Sequence, residues 1–298
     1  MSRALVCVCA LTGAAHADAP RIAPTELDVE RDDTPPGRGE FGFDGGAPVA
    51  GWGATLLGSW LESPGLTLGD REAVRRRETV TLGGALALGT SVVVDGRFSY
   101  AHQIGDRLRG LGDPRALDRR VPGDLRIGVR IRVAGGDRRA AFLRGDLALP
   151  TGDEHDFAGD PGYAIAWRLI GRTTLPHAIV VAASVGLRLR TEEVFVGDRL
   201  VGNELLATAG VAIPLPAQLA IAAELAGVRG DNVGIGRGPS PVEARIGVGY
   251  EPRPALAIAL RATTGLTDEL GAPDLRIVAE LTFRSDWQLI SPASPEPE

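Results

Sequence analysis

Residues 123–133 read GDLRIGVRIRV, and apolar and charged side chains alternate along this stretch with a period of two. The aliphatic residues occupy odd positions from Leu125 to Val133, whereas Arg126, Arg130 and Arg132 occupy even positions. A period of two is typical of a β-strand with one apolar face and one charged face. The fold therefore depends on what lies against each face.

The same alternation returns along the chain and predicts twelve strands. Each is about ten residues long, which is the length that crosses a bilayer as a tilted strand. The predicted strands are 50–61, 77–88, 91–102, 123–134, 139–149, 162–172, 177–189, 203–213, 219–228, 241–250, 255–264 and 274–283.

The links between these strands alternate between short and long. The short links are 89–90, 135–138, 173–176, 214–218 and 251–254, and the long links are 62–76, 103–122, 150–161, 190–202, 229–240 and 265–273. Outer-membrane barrels have short turns on the periplasmic side and long loops outside. The sequence therefore predicts an all-β fold, a transmembrane antiparallel β-barrel of about twelve strands with long extracellular loops and short periplasmic turns.

The arginines of 123–133 decide which face meets lipid. An arginine that faces lipid at the bilayer midplane costs about 2–4 kcal/mol. A one-residue slip of this strand would expose three of them, at a cost of roughly 6–12 kcal/mol on the same scale. That cost is comparable with the whole stability of a domain, about 5–15 kcal/mol. The arginine face is therefore predicted to face the lumen, and the aliphatic face to face hydrocarbon.

The first residues of the chain have the pattern of a secretory signal peptide. Arg3 precedes an apolar stretch, and small residues end in Ala15-His16-Ala17, which predicts cleavage after Ala17. We predict a signal peptide over 1–17, a periplasmic N-terminal segment over 18–49, the barrel over 50–283 and a periplasmic tail over 284–298. The predicted location is the outer membrane of a Gram-negative bacterium.

Residues 205–228 form one long, mostly apolar stretch, which could be either a single helix or two strands. It contains Pro214 and Pro216 at its centre. Each interior proline would cost a helix about 3 kcal/mol. Two strands joined by a turn at 215–218 accept the same residues, so the hairpin is predicted.

Several segments resemble known outer-membrane barrels. The stretches are GDLRIGVRIRV, AAFLRGDLALPTGD and GDPGYAIAWRLIG, and later GNELLATAGVAIPL and GAPDLRIVAEL. They are similar to the barrel domain that precedes OmpA-like domains in myxobacterial proteins, and to the phenol-degradation (MetA-pathway) channel group. The resemblance covers about residues 50–283. It implies an outer-membrane barrel of about twelve strands and no catalytic residues.

Composition and motifs argue against other classes of function. The net charge of −6 and the pI near 5.4 disfavour nucleic acid as a partner. Both cysteines lie within the predicted signal peptide, and no serine or histidine pattern suggests nucleophilic catalysis, so no enzyme and no cofactor are expected. The acidic loop PTGDEHDFAGDPG offers oxygen ligands that could bind Ca²⁺. Its spacing is not that of an EF-hand, so a solvated loop is preferred and no metal site is predicted.

The candidate functional residues are the charged residues on the face of each strand opposite the apolar face, and they are predicted to line the pore. They are Asp95, Arg97, Arg126, Arg130, Arg132, Arg144, Asp146, Arg168, Arg188, Glu204, Glu224, Glu243, Arg245, Arg261, Arg276 and Glu280. The first hypothesis is a passive pore for small polar or anionic solutes. The second is a structural barrel whose lumen is closed by ion pairs, and the third is a secreted soluble β protein. The expected partners are outer-membrane lipids, the solutes and the barrel-insertion machinery during biogenesis.

Overall fold

A computed structural model provides the structure of the chain. It describes residues 51–62, 67–68, 71–72, 74–88, 91–106, 116–136, 138–152, 162–190, 193–195, 199–232, 236–237, 240–253, 256–267 and 272–286. The predicted signal peptide and N-terminal segment, the acidic loop residues 153–160, and most of the predicted C-terminal tail lie outside these residues.

Twelve long strands form the body of the molecule. They are β1 (Gly51–Glu62), β2 (Arg76–Leu88), β3 (Val92–Gly105), β4 (Leu125–Gly135), β5 (Arg139–Leu149), β6 (Ala164–Thr174), β7 (Val180–Leu189), β8 (Asn203–Leu215), β9 (Leu219–Asn232), β10 (Val242–Arg253), β11 (Leu256–Gly265) and β12 (Leu275–Asp286).

Each long strand pairs in antiparallel fashion with its neighbours in sequence, and the first strand pairs with the last. The closing ladder joins β1 to β12 from Gly51↔Asp286 to Glu62↔Leu275. Closure leaves no exposed sheet edge among the twelve strands, which a lipid-facing sheet requires. The predicted fold class, a twelve-stranded antiparallel barrel, is confirmed.

The strand bounds follow the predicted ones closely, and the largest differences, of three or four residues, fall beside long links, beside short links and at the end of the last strand. β3 continues to Gly105 and β9 continues to Asn232, beyond the predicted ends at 102 and 228. Polar residues interrupt the apolar alternation there, so periodicity ends before the hydrogen-bond ladder does. The last strand reaches Asp286 rather than 283.

The apolar stretch 205–228 forms the predicted hairpin, so the helix alternative is wrong. β8 and β9 pair from Asn203↔Asp231 to Leu215↔Leu219. Residues 216–218 connect them, and Ala217 and Gln218 adopt positive φ angles of 61° and 62°. These left-handed angles let the chain reverse within three residues.

Short strands in the long links were not predicted. Residues 117–122 pair with the end of β3, residues 67–68 pair with 71–72, and residues 193–195 pair with 199–201. A two-residue strand at 236–237 pairs with the end of β9. The strands of two or three residues are too short to show a period of two, and three consecutive charged residues break the alternation in 117–122.

Burial alternates along the long strands and separates an outer face from an inner one. In β4, Ile127, Val129, Ile131 and Val133 are exposed, whereas Arg130 is buried. Exposed aromatics also lie near both ends of the strands, with Trp52, Tyr250 and Phe283 at the short-turn end and Tyr100 and Tyr163 at the long-loop end. An apolar band flanked by aromatic residues is the surface that a bilayer covers.

No helix among the described residues is long and apolar enough to cross a membrane.

Candidate functional site

The predicted charged residues all lie on inward-facing positions of the twelve strands. Several are almost fully removed from solvent: Arg130, Arg144 and Arg276 are each 1 % exposed, and Glu243 is 0 % exposed. Charged groups are rarely buried to this degree unless they are paired. The interior of the barrel is therefore a network of buried charges, and its pairing defines the candidate site.

The charges are distributed unevenly around the barrel. On the four adjacent strands β3 to β6, seven arginines and two aspartates face inward. The arginines are Arg97, Arg126, Arg130, Arg132, Arg144, Arg168 and Arg172, and the aspartates are Asp95 and Asp146. These four strands are termed the basic wall, because their inward-facing charges have an excess of five positive charges.

Arginines on the basic wall lie directly opposite one another across neighbouring strands. Arg130 pairs in register with Arg144, and Arg144 with Arg168, so three arginines occupy one row of the sheet. Closer to the long loops, Arg97 pairs in register with Arg126. Like charges in directly opposite positions destabilise a sheet. These rows therefore require anionic groups nearby.

An acidic row lies between the two basic rows. Asp95, Gly128 and Asp146 are in register across β3, β4 and β5. Both carboxylates accept hydrogen bonds from Arg144, which donates through Nη1 and Nη2 to Asp95 at 3.0 Å each. Arg144 also donates to Asp146, through Nη2 at 2.6 Å and through Nε at 3.0 Å. A single guanidinium thus links the two aspartates.

Gly128 provides the space for this link. A Cβ atom at Gly128 would lie 2.5 Å from Nη2 of Arg144 and 2.8 Å from the carboxylate oxygens of Asp95. The Arg144 side chain reaches across β4 to β3 over the surface that this missing Cβ leaves open. The glycine in the middle of GDLRIGVRIRV therefore shapes the charge network as well as the strand.

An aromatic ring is buried among the arginines near the short-turn end. Phe142 faces inward with 0 % exposure, and the guanidinium carbon of Arg130 lies 5.0 Å from its ring centroid. The guanidinium carbon of Arg132 lies 5.9 Å from the same centroid. Both distances allow cation–π attraction. Phe142 thereby stabilises two neighbouring cations without supplying a negative charge.

The opposite side of the barrel, strands β7 to β12, carries nearly balanced charges and is termed the paired wall. Arg188 donates to Glu204 at 2.9 Å, and Arg245 donates to Glu224 at 2.8 Å. Glu243 accepts from Arg245 at 3.4 Å and from Arg276 at 3.3 Å. Arg261 donates to Glu280. Each of the four predicted glutamates is thus matched with at least one arginine.

Further inward-facing polar residues, among them three arginines and a glutamine, were missed at the sequence level. Arg77 donates to Gln103 at 3.0 Å, and Arg190 donates to Glu204 at 2.9 Å. Arg172 lies on the same parity as Arg168. The parity rule identifies Arg77 and Arg172, since both fall within predicted strands. Gln103 and Arg190 lie just past the predicted strand ends, so the rule did not reach them.

No family model matches the chain, and none of the curated proteins is significantly similar to it in sequence. Solved structures do share its fold. An outer membrane channel from Pseudomonas putida F1 matches with a TM-score of 0.59 and 11 % identity, over 84 % of this chain and 99 % of that chain. The NanC porin matches with a TM-score of 0.55 and 6 % identity, over 77 % and 98 %. The KdgM porin matches with a TM-score of 0.50 and 6 % identity, over 78 % and 98 %.

The closed barrel, its apolar outer surface and these likenesses define the class of the protein. The chain is an outer-membrane β-barrel with a porin-like fold, and the predicted location in a Gram-negative outer membrane is confirmed. The predicted resemblance to outer-membrane barrels is likewise confirmed at the level of the fold.

Proposed function

We propose that the protein is a passive channel for small anionic or polar solutes, and that the predicted charged residues line its path. The observation that carries the proposal is the excess of five positive charges on the basic wall. The lipid around the barrel has a low dielectric constant, which focuses this field along the interior and raises the local concentration of anions. The solved structures of similar fold are described as a channel and as porins.

The number of strands sets the room available for solute. Barrels of eight strands have an interior that side chains roughly fill, whereas barrels of sixteen to eighteen strands leave an aqueous channel. A twelve-stranded barrel lies between these cases, so a path beside inward-facing arginines must be narrow. Small solutes are therefore the expected cargo.

The test is a reversal-potential measurement on refolded protein in planar bilayers with a KCl gradient. Chloride is expected to pass more readily than potassium, and the preference is expected to weaken in Arg126→Ser. Arg139→Ser is the matched control, because Arg139 is exposed on the outward parity of β5. Near 1 M salt the preference is expected to fall, because the Debye length shrinks to about 3 Å. Clear cation selectivity would contradict the proposal.

A structural barrel with a closed lumen is the second candidate, and the paired wall favours it. Glu243 has 0 % exposure and contacts both Arg245 and Arg276, so this carboxylate is satisfied by protein groups rather than by solvent. This function predicts that well-folded protein inserts into bilayers and conducts poorly. Absence of conductance from protein with a native β spectrum would therefore replace the channel by the structural barrel.

We also infer the finer relationships that the sequence suggested. The motifs GDLRIGVRIRV and LPTGD support a relation to the barrel domain of myxobacterial OmpA-family proteins and to the phenol-degradation (MetA-pathway) channel group. The signal peptide 1–17, the periplasmic segments 18–49 and 284–298, the insertion machinery as a partner and the absence of enzyme activity stay predictions. N-terminal sequencing of the mature chain tests the signal peptide, and cell fractionation tests the periplasmic location of the two segments.

A further inference from the structure

The inward face of β1 and β2 differs from the rest of the barrel interior. Among its described residues only Arg77 is charged, and Arg77 is buried beside Gln103 near the long-loop end. The remaining described residues are uncharged, and most of them are small. They are Gly53, Thr55, Leu57, Ser59 and Leu61 on β1, and Thr79, Thr81, Gly83, Ala85 and Ala87 on β2. This face is termed the neutral wall.

The small side chains of the neutral wall are accessible from inside the barrel. Thr55, Ser59 and Thr81 are each part-exposed. Inward-facing threonines on the paired wall are not accessible in this way, since Thr263 and Thr282 are each 3 % exposed. Thr282 lies in register with Thr55, and their hydroxyl oxygens are 3.2 Å apart, so the two residues lie at the same depth in the barrel. Open space therefore lies against the neutral wall.

This space continues towards the basic wall through a glycine. Gly83 lies in register between Thr55 and Arg97, and a Cβ atom added to it would have its nearest contacts at 3.7 Å, an ordinary packing distance. Arg97 and Arg126 follow in the same row and are part-exposed, whereas Arg130 is 1 % exposed. The open space thus extends from the neutral wall to the first arginines of the basic wall.

A solute crosses a narrow barrel where the inward side chains are short. The long side chains of Arg188, Arg245 and Arg261 on the paired wall are at most 8 % exposed and are held in ion pairs with glutamates. The neutral wall instead presents hydroxyl groups, which both donate and accept hydrogen bonds. Such groups can replace part of the water shell of a solute and still hold it weakly, as conduction requires.

We propose that a water-filled passage runs along the neutral wall and carries the solute, and that Leu57 and Gly83 set its width. Leu57 is the largest part-exposed side chain among the described inward residues of β1 and β2, and Gly83 leaves the passage open beside Arg97. The role as a solute path rests on the proposed channel function. The inference places that path on two strands that carry none of the predicted pore-lining residues.

Two matched pairs of variants test the width of the passage. Gly83→Leu places a side chain in the passage, so single-channel conductance is expected to fall at least about twofold. Gly84→Leu is the control, because Gly84 is exposed on the lipid-facing side of β2. Leu57→Ala is expected to raise the conductance, whereas Leu56→Ala, on the outer face, is expected to leave it unchanged. Wild-type conductance in folded Gly83→Leu would overturn the proposed path, and wild-type conductance in Leu57→Ala would remove Leu57 from its lining.

Thiol labelling tests for the passage without a current. The full chain is refolded in lipid vesicles with Cys7 and Cys9 replaced by serine, so that an introduced cysteine is the only thiol. Thr81→Cys is expected to react with a membrane-impermeant thiol reagent at least about tenfold faster than Thr282→Cys, because a buried thiol reacts only through local opening. The β spectrum and heat-modifiable gel mobility show whether both variants are folded.

The labelling result separates the passage from the channel function. Fast labelling of Thr81→Cys in protein that does not conduct would support the water-filled passage and reject the proposed channel. Labelling of Thr81→Cys as slow as that of Thr282→Cys would overturn the passage. If the wild type conducts in that case, the channel function stands and its path lies elsewhere in the barrel.

Discussion

Replacement of Arg144 by methionine tests whether the barrel interior is dry at the acidic row. Arg144 is 1 % exposed and is the guanidinium that joins Asp95 to Asp146, whose side chains are 13 % and 11 % exposed. In Arg144→Met the two carboxylates would face each other over Gly128 without that cation. Removing one partner of a buried ion pair costs about 3–5 kcal/mol. If water fills this level of the barrel, the cost falls to about 0–1 kcal/mol, as for exposed pairs.

The assay is equilibrium unfolding in urea of protein inserted in lipid vesicles, followed by tryptophan fluorescence. For Arg144→Met, the free energy of unfolding is expected to fall by about 3–5 kcal/mol, with an unchanged m-value. Arg139→Met serves as the control, because that side chain is exposed on the outer face and is expected to change stability by less than about 0.5 kcal/mol.

A triple variant separates charge from packing. Asp95→Asn with Arg144→Met and Asp146→Asn removes the stranded carboxylates, so it is expected to recover at least half of the lost stability. A loss below about 1 kcal/mol in Arg144→Met would refute the buried network at this row. That result would instead indicate a hydrated path between β3 and β5.

Three further predictions follow from the register, the glycine and the fold. Cysteines at the inward, part-exposed positions 126 and 132 are expected to react with membrane-impermeant thiol reagents more readily than those at outward positions 127 and 131. The reverse pattern would show that the strand is turned inside out. Gly128→Ala is expected to displace the guanidinium of Arg144 and to lower the free energy of unfolding by about 1–3 kcal/mol in the same urea assay, as overpacking does. An unchanged unfolding midpoint would contradict the close approach of Arg144 to Gly128. Cell fractionation is expected to recover the protein from the outer membrane only with detergent, and recovery as soluble periplasmic protein would revive the secreted alternative.

Periodicity was sufficient to predict most of the barrel, because every long strand has one face against lipid and the other face against the polar interior. Residues such as Arg130 and Val129 differ by one position but face opposite environments, and lipid tolerates no exception near its centre. The same rule explains where the prediction stopped. Gln103 and Arg190 lie beyond the apolar band. A polar side chain there is tolerated on either face of the strand, so hydropathy could not show where the strands end.

The pairing within the interior could not be predicted from the sequence. Parity states that Arg144 faces inward, but its partners depend on which residues lie in register on the two neighbouring strands. Asp95 is 49 positions away from Arg144 and becomes a partner only through the ladders of β3, β4 and β5. Long side chains such as arginine also reach over a neighbouring strand, as Arg144 does at Gly128. The unevenness between the basic and paired walls therefore appeared only with the structure.

This unevenness distinguishes the proposed channel from a purely structural barrel on physical grounds. On the paired wall, each glutamate is matched with arginine, an arrangement that satisfies buried charges and needs no ligand. On the basic wall, Arg130, Arg144 and Arg168 occupy one row, and the same strands supply only two inward-facing carboxylates. A row of like charges lowers stability unless anions offset it. The basic wall therefore concentrates positive charge that the paired wall balances within itself, and an interior that attracts anions is what the proposed channel requires.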